Sequence, residues 1–420
     1  MLFKNAYWTI LIRLISASAT LLSIPILLNM LGVDNYGTWA ALTSVISWIM
    51  LFDFGAGVTV KNSVSRSLAN EELETVRTEI IQTVRFLSMI SMVALCLFFL
   101  SLFYFPFLRA NWSVAIVLVV PFIIIFPITV GSMILQGARK FIKNSVIALI
   151  PQVFFVAFVL VFYVSEIKLE MISLAIFYAS LNAGSIIFIW YSARQEVGLH
   201  DVLRRLGLGG AMFLPRLKIA LRFFILQLSG IFLYSMGTVL TIDNLSSADA
   251  AQYDVVNKVY MFGMTLFNVV VSVFWAEIVF LIERRSRKKL MRLYIIFFTL
   301  ALLFSMCVFC FSIISPDLIN WWTDGRIDVD SSTTLFFAAM LSIQAITYCG
   351  ATVMNSFEDL NFQIVLSGLA VVLMIPLSSY LFSINFDIVS VPIASLLISI
   401  PGLFYCNYKA ISLIRGLSDA

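Results

Sequence analysis

Twelve apolar runs, each long enough to cross a lipid bilayer, follow one another along this chain and leave little between them. A transmembrane helix needs about 20 mostly apolar residues. Runs of that kind cover residues 6–32, 38–63, 79–108, 112–137, 145–165, 170–192, 219–242, 253–281, 291–315, 332–356, 362–384 and 387–408. No soluble core could bury them. Of the 420 residues, 61% are hydrophobic and 12% charged, whereas a soluble domain is about 45–50% apolar and about 25% charged. The mean hydropathy of +1.01 agrees. The sequence predicts an all-α integral membrane protein of about 12 transmembrane helices. Arg13 interrupts the first run ahead of a "SASAT" stretch that resembles a cleavage site. A signal peptide would exclude that charge, so the first run reads as an uncleaved span.

Lysine and arginine set the orientation. One series of connections carries Lys4, then Lys61, Arg66 and Arg77, then Arg139, Lys140 and Lys143, then Arg194 to Lys218, then Arg284 to Lys289, and finally Lys409 and Arg415. The alternate series carries Arg109, Lys168 and Arg326 beside acids such as Asp34, Asp243, Asp317 and Asp330. Both termini are expected in the cytoplasm. The longest connections are 193–218 and 316–331. The first mixes basic and apolar residues and reads as a cytoplasmic amphipathic linker. It divides the chain into an amino-terminal six-helix lobe, 1–192, and a carboxy-terminal one, 219–420. The second connection carries paired tryptophans, the residues of a membrane interface. "GVDNYGTWAALTSVISWIMLF" and "SADAAQYDVVNKVYMFGMTLF" pair Tyr36 with Tyr253, a faint internal repeat of the kind many transporters carry. Prolines such as Pro25, Pro121, Pro127, Pro376, Pro392 and Pro401 lie inside the runs. They are tolerable only if neighbours satisfy the carbonyls they free.

Charges inside the spans are the candidate functional residues. A carboxylate at bilayer depth costs about 2.5–3.5 kcal/mol on insertion scales, yet Asp53 sits in the second run, in "LFDFGAGVTVK". At about 1.5 Å per residue, Arg13, Asp53 and Arg85 lie at one depth, about 12–13 Å from the cytoplasmic ends of three spans. Two arginines against one acid leave a positive charge over. One account is a structural Arg13–Asp53 pair with Arg85 reaching to the interface. The other is a hydrated cationic cavity open to the cytoplasm, able to attract phosphate. In that case Gly55 and Gly57 would be points of close helix approach. Arg222, Lys258 and Glu277 are the remaining intramembrane charges.

Uncharged polar residues recur at helical spacing in the second half. In the seventh run Gln227, Gly230, Tyr234, Gly237 and Thr241 share a face, and in the eighth Asn257, Met261, Met264, Asn268 and Ser272 do. The tenth run offers Gln344, Tyr348 and Asn355. Such stripes either bond neighbouring helices or line a lumen, where hydroxyls, amides and aromatic faces would suit sugar rings.

Several chemistries have no signature here. The five cysteines fall in apolar runs, and one histidine provides no metal set. The "DFG" stands without the other kinase motifs, and "GAG" lacks a βαβ unit. No catalytic residue, metal site or cofactor is expected, and the small net charge of +4 does not point to nucleic acid.

The first seventy residues carry a resemblance. Arg13 in the first run, Leu31-Gly32 with Tyr36-Gly37 and Trp39 before the second, and Asp53-Phe54-Gly55 within it are similar to the start of bacterial O-antigen and polysaccharide flippases of the Wzx type. These belong to the MATE-like polysaccharide exporter superfamily. The resemblance implies two six-helix lobes around a central cavity working by alternating access in the bacterial inner membrane. It implies an undecaprenyl-pyrophosphate-linked oligosaccharide as substrate and membrane lipids as partners. It leaves open coupling to a proton or sodium gradient and cooperation with a polymerase. On this reading Arg13, Arg85, Arg222 and Lys258 attract the pyrophosphate, and Asp53 and Glu277 act as charge partners or in coupling. Gln227, Tyr234, Thr241, Asn257, Asn268 and Ser272 face the glycan. The alternatives are a multidrug or cation antiporter of the same fold, which would prefer an acidic lumen, and a membrane-embedded O-antigen polymerase, which would carry a large periplasmic loop.

Overall fold

A computed structural model describes residues 2–417 except 54, 58, 62, 65–72, 168, 200–223, 226, 227, 231, 358 and 360; the side chains of 2–10, 13, 51, 73, 269, 272, 276 and 283 also lie outside the description. Among the described residues all regular structure is helical. The helices are α1 (Leu2–Leu31), α2 (Val33–Leu51), α3 (Leu73–Tyr104), α4 (Trp112–Ile125), α5 (Val130–Gly137), α6 (Phe141–Val164), α7 (Met171–Glu196), α8 (Gly237–Asn244), α9 (Ser247–Glu283), α10 (Arg287–Trp322), α11 (Ser331–Ser356), α12 (Asn361–Ser383) and α13 (Ser390–Gly416). Short helical turns at Pro106–Ala110, Phe126–Thr129 and Asp387–Val389 complete the set.

Ten of the described helical stretches are long and apolar enough to cross a membrane. The twelve runs differ from these ten at two places. The second run is broken: α2 stops at Leu51, and helical backbone resumes only at residue 56. The seventh run falls in part outside the described residues, and its described part turns at Ser235 and Met236 before α8. Beyond the expected end of the ninth run, α10 continues through Pro316 to Trp322, so the paired tryptophans end a helix rather than sit in a loop.

The chain divides into two compact units, residues 1–227 and 228–420. In the first, α7 packs against α4, α5 and α6, and α1 lies along α6. Trp39 stacks on Phe155 and meets Tyr178 edge-on. In the second, α11 is central and packs on α9, α10 and α13. Tyr36 and Tyr253 are both fully buried, each within its own unit.

The prolines show how this backbone survives in lipid. Proline removes the N–H that would bond the carbonyl four residues earlier, and the hydrocarbon offers no water in exchange. Three such carbonyls accept a hydroxyl from a neighbouring helix. Thr334 Oγ1 of α11 donates to Ser312 O, freed by Pro316, at 2.9 Å. Ser185 Oγ of α7 donates to Ile147 O, freed by Pro151, at 3.0 Å. Ser91 Oγ of α3 donates to Ile123 O, freed by Pro127. At the turn before α8, Ser395 Oγ of α13 donates to Leu233 O at 2.7 Å, where helical bonding lapses. Each bond ties two helices together while it satisfies a carbonyl.

The Thr334 bond gives a direct test. Thr334→Val should lower stability in detergent by about 1 kcal/mol, between the mean and maximum for interhelical bonds in membranes. In a Pro316→Ala background, where the restored N–H serves Ser312 O, the same change should cost less than half as much. Thermal unfolding of the four proteins closes the double-mutant cycle.

Candidate functional site

The break in the second span answers why a carboxylate lies in it. A helix start leaves its first N–H groups without partners, and at this depth they need an internal acceptor. Asp53 provides it. Its Oδ1 accepts from Gly55 N–H at 2.9 Å and its Oδ2 from Gly57 N–H at 3.0 Å, while Asp53 O accepts from Ala56 N–H at 2.9 Å. Gly55 takes φ of 69°, a left-handed conformation suited to glycine. Gly55 is therefore a turn residue, not the point of helix approach that its position suggested. Gly57 is such a point. A Cβ there would lie 2.7 Å from Asp53 Oδ2 and 2.9 Å from Met133 Cγ of α5. The residue type lets both the carboxylate and α5 come close.

Asp53 also borders a pocket of about 250 Å³ inside the first unit, with Gly57, Leu87, Thr129, Ser132 and Met133 among its lining. A file of polar side chains leads to it. Lys61 Nζ donates to Gln136 Oε1 at 3.4 Å, and Gln136 Nε2 donates to Ser132 Oγ at 3.3 Å. Lys61 also lies over the Phe141 ring, 5.7 Å from its centre. At the start of α3, Arg77 bonds Glu74 and donates from Nε to Val197 O at 2.9 Å.

The structure brings together only part of the expected constellation. The Arg13 side chain, Arg222, Gln227 and the Ser272 side chain lie outside the described residues. Arg85 is half-buried on α3. It stands about 200° around the helix from Leu87, which lines the Asp53 pocket, and so belongs to another face. That face continues through Met89 and Met92, the latter 70% exposed.

In the second unit, Lys258 is bound to Asp254, Nζ to Oδ2 at 2.7 Å, with the carboxylate buried. The charge expected of Lys258 is thus locally compensated. Asp254 is not among the expected site residues, although the i,i+4 spacing of an acid before a lysine is the signal for such a pair. Glu277 and Asn268 are exposed. Thr241 is fully buried, and its Oγ1 donates to Gly237 O of its own helix at 2.8 Å. Tyr234 and Asn257 are half-buried. The Oδ1 of Asn257 and of Asn355 and the Oε1 of Gln344 are buried acceptors without a protein donor. Gln344 Nε2 meanwhile donates to Tyr348 Oη at 3.2 Å. The eighth and tenth runs therefore hold buried amide oxygens whose acceptor capacity is unfilled among the described residues, while the Thr241 hydroxyl is used within its own helix.

Comparison with known proteins adds the following. Residues 2–275 match the polysaccharide biosynthesis protein family. A 60-residue stretch is 37% identical to a putative O-antigen export protein of Yersinia pseudotuberculosis; it spans 14% of this chain and 14% of that relative's length. Among solved structures, an inward-facing multidrug resistance MATE family transporter of the MOP superfamily superposes with a TM-score of 0.71 at 13% identity, covering 95% of this chain and 96% of the other. The MATE multidrug transporter DinF-BH gives 0.64 at 16% identity, covering 98% and 96%. A MOP superfamily transporter from Pyrococcus furiosus also gives 0.64, at 13% identity, covering 98% and 96%. The fold is that of these membrane transporters.

Replacing Asp53 tests its two-oxygen cap. Asparagine has one acceptor oxygen, and its NH2 would face the second N–H, so Asp53→Asn should lose one of the two bonds and cost about 1 kcal/mol. Asp53→Ala should cost about 1–2 kcal/mol, and Gly57→Ala should also destabilise, through its clash with the carboxylate. Thermal unfolding in detergent reads all three.

Proposed function

This chain belongs to the polysaccharide biosynthesis protein family, and we propose that within it the chain is a flippase for lipid-linked oligosaccharides. The substrate would be an undecaprenyl-pyrophosphate-linked repeat unit of O-antigen or another polysaccharide. The chain moves it from the inner to the outer leaflet of the bacterial inner membrane by alternating access. One observation carries the reading: the family match over residues 2–275 falls on a chain whose transporter fold extends over 95% of its length. The short related stretch in an O-antigen export protein supports it.

In this reading the amino-terminal lobe handles the head group and the carboxy-terminal lobe the sugars. Arg85, with Arg13, draws the pyrophosphate from the cytoplasmic side, since a guanidinium can hold phosphate oxygens in a fork. The buried amide oxygens of Asn257, Gln344 and Asn355 accept from glycan hydroxyls, with Tyr234 and Tyr348 supplying aromatic faces. Asp53 keeps the broken second span folded in lipid. A proton or sodium gradient could drive the cycle, and a polymerase would consume the product.

The test is genetic. Deleting the gene in its host should trap lipid-linked repeat units on the inner leaflet. Complementation with Arg85→Ala should restore about a tenth or less of the surface polysaccharide, the effect of losing roughly one charged hydrogen bond. Arg85→Lys should restore more. A deletion strain that exports normally, or an Arg85→Ala protein with full export at equal membrane level, would overturn the respective parts of this reading.

A further inference from the structure

Six of the nine residues 284–292, at the turn between α9 and α10, are basic: Arg284, Arg285, Arg287, Lys288, Lys289 and Arg292. All six are exposed. No acid occurs from 284 to 316. Among the described residues, no carboxylate comes within salt-bridge distance of Arg284, Arg285, Lys288, Lys289 or Arg292. Several other basic residues are matched by acids. Arg77 meets Glu74 at 2.6 Å, Lys140 and Lys143 meet Glu196 at 3.8 and 3.5 Å, and Lys409 meets Asp359 at 3.2 Å. The bias that orients membrane spans accounts for lysine and arginine at such a turn. It does not account for the missing acids.

The local structure adds a second oddity. Arg287, Lys288 and Lys289 open α10, where the helix dipole disfavours cations and favours anions. Ser286, in the capping position, makes no side-chain bond to the helix. Uncompensated cations and uncapped N–H groups thus meet at one place, and an anion there would serve both.

The surroundings select a lipid. The turn joins two helical stretches long and apolar enough to cross a membrane. On α10 the exposed side chains form one stripe, from Lys288 and Arg292 to Ile295, Ile296, Leu303 and Met306. Cations give way to exposed apolar side chains within one turn, about 5 Å. On α9 the Arg284 guanidinium lies over the exposed Phe280 ring, 4.3 Å from its centre. The cations of both helices therefore stand at headgroup level. They are on the outward side of α10, since Leu290, Tyr294 and Phe297 fill the buried one. A zwitterionic headgroup carries no net charge to such a cluster, whereas an anionic one does.

We propose that residues 284–292 form a binding site for anionic phospholipid, with the phosphate of phosphatidylglycerol held at the start of α10 and beside Arg284. The site faces the surrounding bilayer and does not depend on the flippase reading.

The probe is tritiated phosphatidylglycerol or, in a parallel sample, tritiated phosphatidylethanolamine, in equimolar vesicles of the two lipids holding the full chain. With p-benzoylphenylalanine in place of Ile295, illumination should capture at least about tenfold more phosphatidylglycerol than phosphatidylethanolamine. In place of Ile313, which is 75% exposed and about 27 Å farther along α10, it should capture the two about equally. Arg284→Gln, Arg285→Gln, Lys288→Gln, Lys289→Gln and Arg292→Gln together should bring position 295 to the ratio found at 313. Equal capture of the two lipids at 295, or an undiminished excess in the neutralised protein, would overturn the proposal. So would an excess that about a tenth as much undecaprenyl pyrophosphate abolishes, because the cluster would then serve the cargo. Should the neutralised protein not fold, salt decides on the intact cluster. Between about 0.01 and about 1 M NaCl the screening length falls from about 30 to about 3 Å. An excess cut at least about threefold supports the site, and an unchanged one overturns it.

Discussion

In hydrocarbon every backbone N–H and C=O must find its partner inside the protein, and this architecture follows from meeting that demand where helices are interrupted. An unbroken helix meets it alone. A proline or a break does not, and each leaves a polar atom that costs about 1–3 kcal/mol if buried without a partner. Here the partners are side chains on adjacent helices: Ser91 for Pro127, Ser185 for Pro151, Thr334 for Pro316 and Ser395 for the turn before α8. The same contacts fix helix positions, because a hydroxyl reaches a carbonyl only when the two backbones lie close together. Most other serine and threonine hydroxyls donate to the carbonyl three or four residues back in their own helix, as Thr43, Ser88 and Thr352 do. Those that cross between helices are few, and they concentrate where the backbone needs them.

Asp53 is the carboxyl form of the same solution. A carboxylate is costly in a membrane, but it can accept two N–H groups at once, and the restarting second span presents two. The pocket it borders, and the file through Ser132 and Gln136 to Lys61, connect it to the basic end of the unit. A break there also gives the first unit a place where α2 can end while the residues after it pack separately on α5. Val60 and Val64 join a core with Ile80, Val84, Ile134 and Ile189.

Membership of the polysaccharide biosynthesis protein family and a transporter fold are compatible with more than one cargo. What sets the proposed cargo apart is its chemistry. A drug transporter needs an apolar or acidic lumen. The proposed cargo has an anionic head, a hydroxyl-rich glycan and a long apolar chain. The described residues offer a guanidinium on α3 and amide acceptors without donors on α9 and α11. In the proposed function the guanidinium would serve the head group and the amide acceptors the glycan.

Much of this was legible in the sequence, and the limit has a physical basis. Lipid imposes a one-dimensional rule, so apolar runs of about twenty residues mark helices before any fold is known. The family signature of Arg13, Tyr36-Gly37, Trp39 and Asp53-Phe54-Gly55 could be read in the same way. The Asp254–Lys258 pair was within reach through its helical spacing. The break at Asp53 was hidden because hydropathy does not register where one helix ends and the next begins. Nor could the sequence say that Thr334 serves Pro316 or that Arg85 stands apart from the Asp53 pocket. Those facts depend on which helix faces move together. Packing in three dimensions decides that, and residues at membrane depth in separate spans share no register in the sequence.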